Sequence, residues 1–216
     1  MIDCYAAGTT NGQRAVCVLE ESGLPYRLHD VDIAAGEHKS ASFLALNPAG
    51  QVPVIVDPDG PSGQPLTLAQ SGAICIYVAE KSGHLLPRDA ARKAQAVRWL
   101  MFVLTDLGAT ATSLFHLSLM KSPPEDAIAL LRARLQNFLR LADAQLATDG
   151  NFIGEFSVAD VALYPLMGFP VVRAALEGIP ELVHLKQWQV AMAARPAIAR
   201  AMNFMPAPGS RTRAPA

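Results

Sequence analysis

At 216 residues the chain is long enough for one large domain or two small ones, and either can bury a substantial core. Hydrophobic residues make up 51% and charged residues 17%, which excludes a disordered chain, and a net charge of −1 gives no electrostatic case for nucleic acid or an anionic membrane. No run approaches the ~18–20 uninterrupted apolar residues of a membrane span, and Asp3 stands where an export signal needs a basic and then an apolar region.

Residues 2–6 are short and apolar, as a buried strand should be. Residues 14–21 place Ala15, Val16, Val18 and Leu19 on one broad face, which predicts a helix ended by Gly23 and Pro25. Residues 27–31 read as a second strand, and residues 43–46 as a weak helical turn stopped at Asn47-Pro48. A β-branched run at 52–56 and a short strand at 65–68 flank the turn Asp57-Pro58-Asp59-Gly60. Ser71 then opens a helix through Ala73, Ile74, Tyr77 and Val78 that stops near Gly83. The order β-α-β-α-β-β-α implies a small mixed sheet with helices packed on it.

After Leu85-Leu86-Pro87 the strand signals vanish. Val97, Leu100, Met101, Leu104 and Leu107 follow helical spacing, as do Ile128, Leu131, Leu135, Phe138, Ala142 and Leu146. Ser122-Pro123-Pro124-Glu125 has the features of a helix start: a capping hydroxyl, Pro at the first helical position and Glu three residues on. Ser157-Val158-Ala159-Asp160 is a similar capping pattern, with Phe156 and Val161 spaced as a hydrophobic staple. The chain therefore divides into an α/β domain (1–83), a linker (84–89), an all-helical domain (90–205) and a flexible Pro/Ala/Arg-rich tail (206–216).

Cys4, Cys17 and Cys75 form no C-x-x-C pair and no metal-ligand spacing, and an odd, sparse set reads as packed, reduced thiols in a cytoplasmic protein. No metal or nucleotide site is visible, since G-x-G-x-x-G, P-loop and His/Asp clusters are missing from the sequence. Thr9-Thr10-Asn11-Gly12 joins the first strand to the first helix. It is either a plain polar turn with Asn11 capping the helix, or two hydroxyls and an amide aimed at a ligand.

Four segments resemble the cytosolic glutathione transferases across nearly the whole chain. Residues 47–55 (NPAGQVPVI) look like the segment leading to the family's cis-proline, and residues 68–74 (LAQSGAI) like its glutathione-binding helix start. Residues 83–87 (GHLLP) resemble the interdomain linker, and residues 152–160 (FIGEFSVAD) the capping-box helix of the C-terminal domain. The resemblance implies a thioredoxin-like α/β domain followed by an all-α helical bundle, acting as a homodimer with glutathione as co-substrate. Within the family, Thr9-Thr10-Asn11-Gly12 is most similar to the bacterial Nu class, with Thr10 where that class usually has Pro.

Glutathione carries a γ-glutamyl carboxylate, a cysteinyl thiol and a glycyl carboxylate, so its site needs three kinds of contact. If the Val52–Pro53 bond is cis, the N–H and C=O of Val52 turn outward to pair with an extended peptide as an added strand would; the bland alternative is a trans Pro starting a strand. Gln70 and Ser71 stand at a helix start that favours an anion, the γ-glutamyl carboxylate by resemblance, or Ser71 is simply an N-cap. His38 and Lys39 fall where relatives contact the glycyl carboxylate, or are solvated loop charges, and Gln51 belongs to the same segment as Val52. The thiol, with an ordinary pKa of ~8.5, needs a donor to favour its thiolate. Residues 7–13 contain no Cys and Tyr5 lies within the strand, which leaves Thr9, Thr10 and Asn11. The resemblance gives Thr9 and Asn11 to the sulfur, with Thr10 secondary.

In relatives the helical half forms the second-substrate wall and the dimer contacts. Phe102, Leu114, Phe115, His116 and Met120 are candidates for that wall or ordinary core residues, and Asp106 is a candidate to reach the ligand from a partner subunit. The second substrate implied is a small hydrophobic electrophile to be conjugated, or a disulfide or organic peroxide to be reduced. The rivals are a catalytically silent interaction protein on the same scaffold and a glutathione-dependent isomerase or dehalogenase.

Overall fold

A computed structural model describes residues 1–204, so the tail expected at 206–216 lies outside the described residues. The chain separates into two units: residues 1–84 with the chain from Arg195 onward, and Leu85–Ala194.

The first unit is built on strands β1 (Ile2–Ala6), β2 (Tyr26–Asp30), β3 (Val54–Asp57) and β4 (Leu66–Ala69), in the order β2-β1-β3-β4. β1 and β2 run parallel, joined by helix α1 (Thr10–Ser22), while β3 is antiparallel to both β1 and β4. Period-2 alternation in β1 sends Ile2, Cys4 and Ala6 into the core on the side of α1, and α1 packs in turn on α3 (Ser71–Ser82). The other face of the sheet carries Val54 beneath Phe43 of α2 (Ala41–Leu46), with Tyr5, Leu46, Val52 and Ala69 packed around them. The expected strand and helix order is what the structure shows. Gly23 and Gly83 end α1 and α3 in the left-handed conformation, as glycine after a helix readily does.

Sequence pattern groups the last helix with the helical half, but α10 (Pro196–Phe204) packs on α1 in the first unit, burying Ile198 and Ala201. Charge explains what periodicity cannot. Arg195 donates to both carboxylate oxygens of Glu21 (2.7 and 2.8 Å), and Arg200 donates to Glu20 (2.7 Å).

The second unit holds α4 (Ala90–Met101), a π-helical segment (Phe102–Gly108) and α5 (Ala109–Ser118), followed by α6 (Glu125–Asp149), α7 (Val158–Met167), α8 (Pro170–Glu177) and α9 (Val183–Ala193). The continuous helix Ala90–Ser118 is long and apolar enough by composition to cross a membrane, but Leu100, Val103, Leu107, Ala111 and Leu114 are core residues of this unit. Every residue of α7 except Tyr164 is buried. Its capping box is formed, with Asp160 accepting from the Ser157 backbone N–H (3.0 Å) and hydroxyl (3.1 Å) and from Trp188 Nε1 (3.0 Å). The start of α6 differs from expectation: Pro124 precedes the helix in extended conformation, and Ser122 does not cap it. Consecutive prolines push the residue before each out of the helical region, so the helix begins only at Glu125.

Candidate functional site

The site begins where β1 hands over to α1. Thr9 is extended and caps the helix, its Oγ1 accepting from the Gly12 N–H at 3.1 Å. The helix thus opens at Thr10, and Asn11, which the plain-turn reading makes the cap, is its second residue with its side chain free for other work. Gly12 is required by packing: a Cβ there would lie 2.1 Å from the Ala7 carbonyl oxygen. Because Thr9 Oγ1 spends a lone pair on Gly12, its own proton remains available to donate outward.

Asn11 faces two partners inside the unit. Its Oδ1 accepts from the Arg14 guanidinium at 2.6 Å, and the Ser71 hydroxyl lies 3.4 Å away. The same Arg14 nitrogen donates to Ser71 Oγ at 2.9 Å, bridging the first turns of α1 and α3. Arg14 is 2% exposed, and burial lowers its guanidinium pKa below the ordinary value. Arg14 is the residue of this cluster that sequence reasoning misses. The signal was its place one helical turn after Asn11, a charge within an otherwise apolar face.

A second segment comes from the loop before β3. The Val52–Pro53 peptide is cis. Gly50 holds φ +60° against Lys39, where a Cβ would sit 2.6 Å from Nζ. Lys39 donates to the Ala49 and Gly50 carbonyls (3.4 and 3.2 Å), and Asn47 Nδ2 donates to the Gln51 carbonyl at 2.7 Å. These contacts tie the lysine's segment to the chain beside the cis bond. His38 Nδ1 is buried and has no hydrogen-bond partner, a costly state for a ring nitrogen unless a ligand completes it.

Thr9, Asn11, His38, Gln51 and Val52 line one open cleft of about 410 Å³, together with Ile33, Lys39 and Gly50. Of the other expected site residues, Thr10, Pro53, Gln70 and Ser71 do not line it, but Ser71 is joined to it through Asn11. Ser71 is the first residue of α3 and not its cap. Gln70 holds the cap position at φ 72°, ψ 111°, without a side-chain capping bond. A non-glycine residue at such angles costs of order 1–3 kcal/mol and concentrates at ligand sites.

All three cysteines are buried and unpaired in disulfides. Burial pushes the Cys4 and Cys75 thiols up to about 12 and raises Cys17 as well. Protein thiolate is therefore scarce at neutral pH, and none of the three lines the cleft. Among the described residues no group of three or more His, Cys, Asp or Glu could hold a metal ion.

Of the candidates in the helical unit, Phe102 packs edge-on against Trp99 and Phe138 (centroids 5.2 and 5.6 Å), and Leu114 is 4% exposed, so both serve the core. Phe115 packs on Phe169, His116 is exposed, and Met120 is 52% exposed. Asp106 lies 3.9 Å from Arg134 of its own chain.

Residues 10–81 match the family model described as the glutathione S-transferase N-terminal domain. The disulfide-bond oxidoreductase YfcG of Escherichia coli K12 is 32% identical over 210 residues, covering 94% of each chain. A glutathione transferase from Pseudomonas putida, solved with one glutathione disulfide per subunit, superposes with a TM-score of 0.87 at 29% identity, over 96% of this chain and 92% of that one. Another from Pseudomonas fluorescens Pf-5, solved with two glutathione molecules, gives 0.86 at 32% identity, over 93% and 92%. A sheet-and-helix unit with a cis-proline cleft, a helical unit and these relationships give one conclusion: the chain belongs to the glutathione transferase family.

Proposed function

We propose that this protein is a cytoplasmic, homodimeric glutathione transferase of Nu-like type whose main chemistry is glutathione-dependent reduction of disulfides or organic peroxides, with conjugation to small electrophiles as a related capacity. The observation that carries the reading is the shared cleft: Thr9 and Asn11, at the positive end of α1, open onto the same space as Val52, His38 and Lys39. In this reading Thr9 Oγ1–H and the Asn11 amide donate to the glutathione sulfur and favour its thiolate, with Thr10 in support. Val52, beside Pro53, pairs its backbone with the cysteinyl residue as an added strand would, and Gln51 flanks it. The γ-glutamyl carboxylate meets the start of α3 at Gln70 and Ser71. The glycyl carboxylate meets His38, whose Nδ1 has no other partner, and Lys39.

Because the protein thiols are buried and raised, both sulfurs of the exchange are glutathione's. One glutathione thiolate attacks a disulfide R–S–S–R, forming a mixed disulfide and releasing R–S⁻, which takes up a proton. A second thiolate attacks the glutathione sulfur of the mixed disulfide, giving glutathione disulfide and another R–S⁻. The names of the relatives agree with this balance, one as a disulfide-bond oxidoreductase and another carrying bound glutathione disulfide.

Steady-state reduction of 2-hydroxyethyl disulfide, wild type beside Thr9→Ala and Asn11→Ala, tests the assignment. A loss of at least tenfold in kcat/KM for either variant is expected. Full activity in both would refute the roles given to them.

A further inference from the structure

Asn11 can stabilise a thiolate only if its NH2 group, and not its carbonyl, faces the cleft. The two ends of a side-chain amide have nearly the same shape, so packing alone does not choose between them. Something must set the orientation.

We infer that Arg14 is the positioning residue that does so, locking the Asn11 amide with its oxygen inward and its N–H bonds toward the sulfur. The inference rests on the role proposed above for Asn11. A guanidinium carries donors only, so the group it meets at 2.6 Å must be the amide oxygen. The flipped amide would set N–H against N–H beside a buried cation, where water cannot relieve the conflict. With the oxygen held inward, both Nδ2 protons lie on the other side of the amide, and Asn11 lines the cleft.

The same Arg14 nitrogen acts on Ser71, 57 residues away in sequence. By donating to Ser71 Oγ at 2.9 Å it occupies a lone pair, and the Ser71 hydroxyl in turn donates to Asn11 Oδ1 at 3.4 Å, a second donor on the inward-facing amide oxygen. One buried cation thus ties together the first turns of α1 and α3, and Arg14 and Ser71 both hold the Asn11 oxygen inward. Arg14 need not touch glutathione to do this.

The test is the pKa of the glutathione thiol bound to the full chain, read from thiolate absorbance near 240 nm across pH. Arg14→Met is expected to raise it by about one pH unit or more, as the amide becomes free to turn its oxygen outward. Turnover then falls about tenfold near pH 6.5 and recovers above the new pKa. Arg14→Lys still offers only donors and is expected to recover at least half of the lost acidity. Asn11→Asp keeps an acceptor for Arg14 but has no N–H, so it is expected to fold and to raise the thiol pKa at least as far as Arg14→Met does. Asn11→Ala separates the two levels of the claim. If it leaves the bound thiol pKa unchanged, the role of Asn11 itself falls. If it raises the pKa while Arg14→Met does not, only the positioning role of Arg14 falls. Should Arg14→Met fail to fold, Arg14→Lys and Asn11→Asp decide: loss of thiol acidity in Asn11→Asp with recovery in Arg14→Lys supports the inference, and any other pairing overturns it.

Discussion

Asp160 offers a measurable test of how burial and hydrogen bonding compete in the helical unit. It is fully buried, and burial raises its carboxyl from an ordinary 3.8 to about 6, against the opposing hydrogen bonds from Trp188, Ser157 and the Phe152 backbone. The folded state therefore holds the proton more tightly than the unfolded chain does. Stability from this group is fully present below pH 3.8 and is lost as pH rises through 6. A rise from 3.8 to about 6 corresponds to about 3 kcal/mol, good to the order of magnitude. Asp160→Asn cannot titrate, so its stability deficit relative to wild type should shrink as pH rises from 4.5 to 7.5. Asp160→Ala leaves Ser157 N–H and Trp188 Nε1–H without this acceptor and should cost about 3–5 kcal/mol near pH 4.5, a deficit that shrinks as pH rises because this variant does not titrate either. The assay is urea unfolding followed by tryptophan fluorescence, since the chain's two tryptophans, Trp99 and Trp188, both lie in this unit. Parallel pH profiles for wild type and Asp160→Asn would refute the raised carboxyl. A cost below about 1 kcal/mol for Asp160→Ala at pH 4.5 would refute the weight placed on its bonds.

Thr9→Val should lose the α1 cap, about 1 kcal/mol in a thermal melt, together with the proton offered to the sulfur, whereas Thr9→Ser should keep both; wild-type turnover in Thr9→Val would mean that Thr9 only caps. Native protein at pH 8 should resist iodoacetamide at Cys4, Cys17 and Cys75 and retain its disulfide reduction, with labelling by mass spectrometry appearing only on unfolding; fast labelling accompanied by inactivation would return a protein thiol to the mechanism. Arg195→Ala strips a bidentate partner from Glu21, whose side chain is only 7% exposed, and should lower stability by about 1–3 kcal/mol in urea unfolding followed by far-ultraviolet circular dichroism; an unchanged midpoint would show that α10 is held by its apolar face alone.

What the sequence made legible follows from how locally each feature is encoded. The strands and helices of the first unit, the glycine stops at Gly23 and Gly83 and the capping box at Ser157–Asp160 each rest on residues within a few positions of one another. Of the residues the resemblance points to, Thr9, Asn11, His38, Gln51 and Val52 line one cleft, while Thr10, Pro53, Gln70 and Ser71 do not. The role of Arg14 is not legible in the sequence because its partners include Ser71, which lies 57 positions away and only the packing of α1 on α3 brings near. The docking of α10 was hidden for the same reason: Glu20, Glu21, Arg195 and Arg200 are unremarkable charges until the tertiary fold pairs them. The cap at Thr9 rather than Asn11 is a two-residue shift of helix start, below what periodicity resolves.

The return of α10 to α1 makes the first unit discontinuous, so in topological terms the helical unit is an insertion between α3 and α10. During synthesis the first unit lacks its last helix until residues 195–204 have been made, and its strands and α1 must wait with Glu20 and Glu21 uncovered. A fragment cut after residue 84 would keep the whole cleft-lining set yet expose the surface that Ile198 and Ala201 cover. Any attempt to carry the cleft onto another protein therefore has to supply a substitute for that helix.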